Sequence, residues 1–334
     1  MPDQATLLLV AVVVLAVVFD YINGFHDTAN AIATSVATRA LDPRAAILMA
    51  TAFNFIGAFA GTAVAKTIGA GLVDEHTSTQ GVIIAALVGA IAWDLLTWYY
   101  GLPSSSSHAL IGGLLGATLV SAGFGAFKVD GIMAKVVFPM FASPLIGFVV
   151  AFLLIIVLFW LFRSAPRRPM TTIFRRLQIV SAGFMAFSHG SNDAQKTMGI
   201  ITLALFSGDV IGTIDVPWWV IVIAASAISL GTAIGGWRIM HTMGHRVVKL
   251  EPVHGFAAET TAASVIITAA HFGMPVSTTH VISAAIMGVG SARGVRGVRW
   301  GVARNILAAW VITIPASGGV AALVWFLLHQ VGLG

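Results

Sequence analysis

The residues best able to do chemistry fall in two short segments 166 positions apart. In the first, Asn23, Asp27, Asn30 and Thr34 stand at i, i+4, i+7 and i+11, a spacing that one helical face brings into line. Asp20 extends that stripe by one turn. In the second, Asn192, Asp193, Gln195, Lys196 and Thr197 occupy the matching places, with Lys196 where the first has Asn30. The Asn and Thr residues alone would serve equally well as hydrogen-bonding glue between helices. A carboxylate among apolar residues is costly and should face a cavity or a partner, so Asp27 and Asp193 are expected to be functional.

A second constellation follows each Gly-x-Pro break. Ser104–Ser107 come after Gly101-Leu102-Pro103, and Ser277, Thr278 and Thr279 come after Gly273-Met274-Pro275-Val276. A helix start offers backbone N–H groups without intrahelical partners and the positive end of the helix dipole. Together with nearby hydroxyls this makes an anion site. One such run alone would be ordinary capping; two symmetric runs could hold a tetrahedral oxyanion between them. The expected phosphate ligands are Asp27, Asn30, Ser105, Ser106, Ser107, Asn192, Asp193, Lys196, Ser277, Thr278 and Thr279.

Carboxylates repel phosphate, so a cation has to enter with it. Asp27, Asp193, Glu259, His26 and His189 are the expected proton or coupling-ion groups, and Asp27, Asn30 and Asp193 the expected donors should that ion be sodium. Anion and cation would then raise each other's affinity by the same factor. Asp94 is also expected at membrane depth. His108 and His280 are expected to fix their loops, with proton relay as the alternative role, and His76, His241, His245 and His254 to lie solvated in polar loops.

The elements that position these groups follow from composition. The chain has 334 residues, is 58% hydrophobic and 9% charged, and has a mean hydropathy of +0.94. Soluble domains carry about 25% charged residues, so a deficit over this length calls for a bilayer rather than water. Apolar runs near the ~20 residues needed to span a membrane recur throughout. They predict an all-α polytopic membrane protein with spans near 5–38, 45–66, 136–162, 179–206, 217–237 and 305–328. Two helical hairpins, at 80–122 and 255–290, are each broken at Gly-x-Pro, where a proline cannot continue a helix.

Of 18 Lys and Arg residues, 14 cluster in four short loops around 39–44, 163–176, 238–249 and 293–304. This is the positive-inside pattern. It puts those loops in the cytoplasm and the acidic loops 67–79 and 207–216 outside, with both termini. No contiguous basic surface is available for nucleic acid. The absence of cysteine excludes disulfides and thiolate chemistry. The N-terminal Met1–Thr6 has no basic residue and reads as the start of the first span rather than a signal peptide.

The two halves match in order. Gly24-Phe25-His26-Asp27 aligns with Gly190-Ser191-Asn192-Asp193, Gly61-Thr62-Ala63-Val64 with Gly231-Thr232-Ala233-Ile234, and Gly101–His108 with Gly273–His280. The chain therefore divides into a first repeat at 1–162, a basic cytoplasmic loop at 163–178 and a second repeat at 179–334. One repeat starts outside and the other inside, giving two inverted-topology repeats and about 10–12 transmembrane segments. Inverted repeats with interrupted helices imply alternating access around a midplane site.

These residues resemble the inorganic phosphate transporter (PiT) family, whose mark is a Gly-x-Asn-Asp-x-x-Asn-like segment near the start of each half. Here the copies read Gly24-Phe25-His26-Asp27-Thr28-Ala29-Asn30 and Gly190-Ser191-Asn192-Asp193-Ala194-Gln195-Lys196. The family's Gly-x-Pro-x-Ser-Thr-Thr-His run is present as Gly273–His280 and loosened at Gly101–His108. The likeness runs from about Asp20 to Arg304. It implies a phosphate symporter of the bacterial plasma (inner) membrane, a homodimer in lipid, with no organic cofactor. His26, where much of the family has Asn, is similar to the bacterial low-affinity branch. That branch uses protons and carries phosphate, free or with a divalent metal.

The alternative transport reading is sulfate or another oxyanion. A hydrolase built on Ser107, His108 and Asp27 is disfavoured, because adjacency supplies no triad geometry and there is no Gly-x-Ser-x-Gly elbow. A channel is disfavoured by the paired broken helices with charged midplane groups.

Overall fold

In the computed structural model, which describes residues 4–333, the chain is a bundle of helices in two matching sets. The first set is α1 (Gln4–Ala37), α2 (Pro43–Gly57), α3 (Ala63–Ala70), α4 (Gln80–Tyr100) and α5 (Ser106–Ala122), then α6 (Val129–Ile132), which runs through a π-helical turn into α7 (Phe138–Leu161). The second set is α8 (Arg167–Ser207), α9 (Trp218–Ile234), α10 (Trp237–His241) followed by a π-helical turn, α11 (Pro252–His271), α12 (Thr278–Ser291) and α13 (Trp300–Gln330). Long helix, shorter helix, short helix, broken hairpin and closing helix recur in the same order. Met1–Asp3 and Gly334, on which the expectation for the extreme termini rests, lie outside the described residues.

Several expected boundaries shift. The span expected at 45–66 is broken into α2 and α3. The stretch 163–178, expected as a loop, is helical from position 167 onward. Its arginines at 168, 175 and 176 are exposed, while Phe174, Gln178 and Ser181 are buried at i, i+4 and i+7. That is an amphipathic stripe, so a polar run need not be a loop. The polar gap 238–254 likewise holds α10 and its π-turn, and His254, expected to be solvated, is a buried residue of the first turn of α11. Among the described residues, four helices are long and apolar enough to span alone, α1, α4, the α6–α7 unit and α13, or five if α9 and α10, bent by 61°, count as one. α8 is longer still, at 41 residues, but more polar.

The repeats interlock. α1 crosses α9, and α8 crosses α2, at paired glycines. A Cβ on Gly24 would overlap the Ile228 carbonyl, and one on Gly231 the Tyr21 carbonyl. At the second crossing, Gly190 meets the Asn54 carbonyl and Gly57 the Phe187 carbonyl. Gly57 is therefore the counterpart of Gly231, not Gly61 as the sequence alignment had it; a Cβ on Gly61 would meet nothing nearer than 3.9 Å.

Each hairpin is shaped by its own break. Gly101 (φ +63°) and Gly273 (φ +66°) take the left-handed conformation that ends α4 and α11, and the following prolines cannot resume the helix. Single antiparallel bridges, Val73 to Phe127 and Val248 to Val298, close the two hairpin bases. Ion pairs lie there too, Lys128 with Glu75 and Arg293 with Glu251 at 2.7 Å. The short helices α3 and α10 each lie across the break of the other repeat. Thr67 donates to the Gly273 carbonyl at 2.7 Å and Thr242 to the Gly101 carbonyl at 3.0 Å.

Candidate functional site

The tips of the two hairpins meet in the middle of the bundle. The Ser107 hydroxyl donates to the Val276 carbonyl at 3.2 Å, and the His108 and His280 rings pack edge to face at 4.7 Å. His280 also stacks on Trp310 at 3.9 Å, and the Trp310 indole donates to the Pro103 carbonyl at 3.2 Å. Both histidines thus hold the tips in place. Two helix starts, those of α5 and α12, converge on one point.

The long helices α1 and α8 bring the acidic segments to that point from either side. Each reaches across to the other repeat's hairpin. Asn30 donates to Thr279 at 2.8 Å, and Lys196, at the equivalent place, donates to Ser107. Thr279 and Thr278 donate to one oxygen of Asp27 at 3.3 and 3.5 Å, and Thr278 also reaches Asp193 at 3.4 Å. Lys196 pairs with Asp193 at 2.5 Å. Asn192 faces the Met274 and Val276 carbonyls of the second break. All these side chains are buried, so solvent does not reach the site in this conformation.

Not every expected ligand points inward. Ser105 and Ser277 cap α5 and α12, each accepting from the backbone N–H of the following histidine at 3.1 Å. For these two, ordinary capping is the observed arrangement. Ser106 is buried with no hydrogen-bond partner for its hydroxyl among the described residues, and so is the Asn30 carbonyl oxygen. Ligand atoms of Asp27, His189 and Asp193 all lie within 4.8 Å of one another, a spacing that suits a shared cation.

His26 is placed to hold a proton. Its Nε2 meets the Thr97 hydroxyl at 3.0 Å. Thr97 spends its own proton on the Trp93 or Asp94 carbonyl, at 3.0 and 3.1 Å, and accepts from Ser104 at 2.8 Å. Nδ1 faces Asp27 Oδ1 at 2.6 Å, a contact that needs a proton on one side or the other. Imidazole and carboxylate can share that proton. His189, by contrast, meets Asn54 at 2.9 Å and Asp193 at 3.4 Å.

Glu259 does not join this cluster. Its carboxylate accepts from Thr34, from Gln178 at 3.1 Å and from Ser181 at 2.5 Å. Thr97, Asn54, Gln178 and Ser181 are participants that the sequence reading missed. For Thr97, Asn54 and Ser181 the signal was a polar residue among apolar neighbours, which is weak without knowing the face it turns, and Gln178 was hidden in the polar run after Arg163.

Comparison with known proteins agrees with this geometry. The model of the phosphate transporter family matches the chain twice, at residues 23–171 and 163–321, one match for each repeat. A Bacillus subtilis protein named "Probable low-affinity inorganic phosphate transporter" is 48% identical over 98% of this chain and 99% of its own length. A Rhizobium meliloti protein of the same name is 50% identical over 96% of each chain. A solved structure titled "The sodium-dependent phosphate transporter" superposes with a TM-score of 0.89 at 25% identity, covering 97% of this chain and 99% of the other.

Proposed function

As this chain belongs to the phosphate transporter family, we propose that it carries inorganic phosphate across the membrane together with a proton or a sodium ion. The observation that carries this reading is the meeting of the two hairpin tips between Asp27 and Asp193, with Lys196 and the hydroxyls of Ser107, Thr278 and Thr279 in contact. The long hydroxyl contacts to the carboxylates are weak. A phosphate between the two helix starts would take over those hydroxyls and the free N–H groups as donors. A cation would take over the carboxylate oxygens that the hydroxyls release.

Asp193 already has Lys196 beside it, whereas Asp27 depends on the proton it shares with His26. Binding of anion and cation is thereby linked, and each raises the other's affinity equally. Release follows when α1 and α8 shift against the hairpins and open the closed site to the other side. Inverted repeats with broken helices support such alternating access. The carboxylates favour phosphate over sulfate, because a protonated phosphate can donate to them. The bacterial relatives support an inner-membrane location, and the basic clusters support cytoplasmic placement of their segments with both termini outside. A homodimer, and phosphate carried as a divalent metal complex, rest on the family resemblance.

The test is phosphate uptake into proteoliposomes with sodium and proton gradients imposed separately and sulfate as competitor. Asp27→Asn and Asp193→Asn should each abolish gradient-driven uptake while the protein still inserts. Normal uptake in both variants would refute the assignment.

A further inference from the structure

A second polar cluster lies between α1 and α8, two turns from Asp27 toward the start of α1. Seven residues of helix put it roughly 10 Å away along the axis. Asp20 and Asn23 belong to α1 and Thr197 to α8, and all three are buried. Asp20 faces the Thr197 hydroxyl and the Asn23 amide. Yet both Asp20 oxygens, both polar atoms of the Asn23 amide and the Thr197 hydroxyl have no hydrogen-bond partner of normal geometry among the described residues. Native interiors leave few such atoms unpaired, and a buried carboxylate with neither partner nor hydrogen bond is costlier still. Thr197 and Asn23 stand close enough to act on the Asp20 carboxyl, yet none of the five atoms is paired at normal hydrogen-bond geometry, which leaves room for a shared ligand.

Their chemistry says which kind. The Asp20 carboxylate, the Asn23 carbonyl and the Thr197 hydroxyl are hard oxygen donors, with no imidazole or thiolate among them, and such a set selects hard cations. One carboxylate balances one positive charge. The charged groups facing Asp20 are Asp193 and Lys196 of α8. Uncompensated, Asp20 would compete with Asp193 for the Lys196 ammonium. The cluster has no twin in the other repeat, where Ala186 stands in the place of Asp20.

We propose that Asp20, Asn23 and Thr197 form a second monovalent-cation site, filled by a sodium ion or by a proton on Asp20, whose occupation leaves Lys196 committed to the central anion site. The role of this site in coupling rests on the transport reading above; its cation binding does not.

The test uses the full chain and the variants Asp20→Asn and Thr197→Val. Reversal potentials of phosphate uptake in proteoliposomes, under a sodium or a proton gradient, give the cations moved per phosphate. Asp20→Asn should lose about one cation per phosphate, by the reciprocity of linked sites, in whichever arm, sodium or proton, supplies it. Thr197→Val, close to Thr in shape, should raise the half-saturating cation concentration about tenfold for one lost ligand contact. In detergent without phosphate, sodium chloride against choline chloride, or lowered pH, should stabilise the wild-type protein more than either variant. That readout stands even if the wild type carries no phosphate, and Thr197→Val serves if Asp20→Asn does not fold. Unchanged stoichiometry, or cation stabilisation equal to wild type in both variants, would overturn the site.

Discussion

Lys196 is the group whose removal says most about the centre of the molecule. Its side chain is fully buried and its ammonium lies 2.5 Å from Asp193. At an effective dielectric constant of about 20, unit charges so close attract by roughly 7 kcal/mol. Desolvation of both groups cancels much of that, and removing one partner of such a buried pair costs about 3–5 kcal/mol. Lys196→Met keeps the aliphatic stem and removes the charge. At about 2–4 °C per kcal/mol, it should lower the unfolding midpoint in detergent by roughly 6–20 °C. Asp193→Asn should do similar harm by stranding the ammonium. The double variant, Met with Asn, strands neither charge and should recover about 2 kcal/mol or more as coupling energy between neighbours. Phosphate uptake should be lost in all three. The assay is thermal unfolding of monodisperse protein, run as a double-mutant cycle. A Lys196→Met protein within about 1 kcal/mol of wild type, or a double variant no more stable than the worse single one, would show that the pair does not hold charge as argued here.

Three further outcomes are expected. His26→Asn removes the imidazole that shares a proton with Asp27, so the proton-driven part of uptake should fall at least about tenfold while any sodium-driven part persists; an unchanged proton dependence would count against the relay. Asn30→Lys places a permanent charge beside Asp27, and phosphate should then bind without a coupling ion but fail to accumulate against a gradient, measured by binding and uptake on the same preparation. At one hairpin base, burial works against the Glu75 charge, but the hydrogen bond and charge of Lys128 hold its carboxyl below the ordinary 4.5. A depressed folded value means the contribution is present above about pH 4.5 and lost as pH falls through that lower value. The stability advantage of wild type over Glu75→Gln should therefore shrink on acidification, and an advantage that grows would show the sign to be wrong.

Much of the fold was legible because a bilayer leaves few options. Apolar runs must be helical there, and Gly101-Leu102-Pro103 and Gly273-Met274-Pro275 mark the breaks by residue type alone. Asp27, Asp193 and Lys196 stood out because charge in an apolar run is rare. What remained hidden depends on faces and crossings. Gly57 and Gly61 look alike in sequence, and only the approach of α8 to α2 decides which of them closes the packing. Glu259 was expected as a proton or coupling-ion group from its depth in the membrane, which can be read along a helix, whereas the direction its side chain turns cannot. Thr34, Gln178 and Ser181 hold it elsewhere. The first turns of α8 were missed because a polar run was weighed by composition and not by period.

The two repeats place equivalent atoms equivalently, yet the residues differ in a way that the proposed coupling uses. Asn30 and Lys196 occupy matching places and reach matching hydroxyls, Thr279 and Ser107. A perfectly symmetric site with two lysines would bind phosphate with no need of a cation, and no gradient could then drive accumulation. A site with two asparagines would leave both carboxylates bare and oppose the anion too strongly. The observed mixture lies between these extremes. In the proposed coupling, one carboxylate is balanced by the Lys196 ammonium, which cannot leave, and the other by a proton or sodium ion at Asp27, which can. Of these two central compensations, only the second would be exchangeable. The proposed coupling would tie the direction of transport to that exchangeable charge, because the site would balance only with anion and cation both inside it.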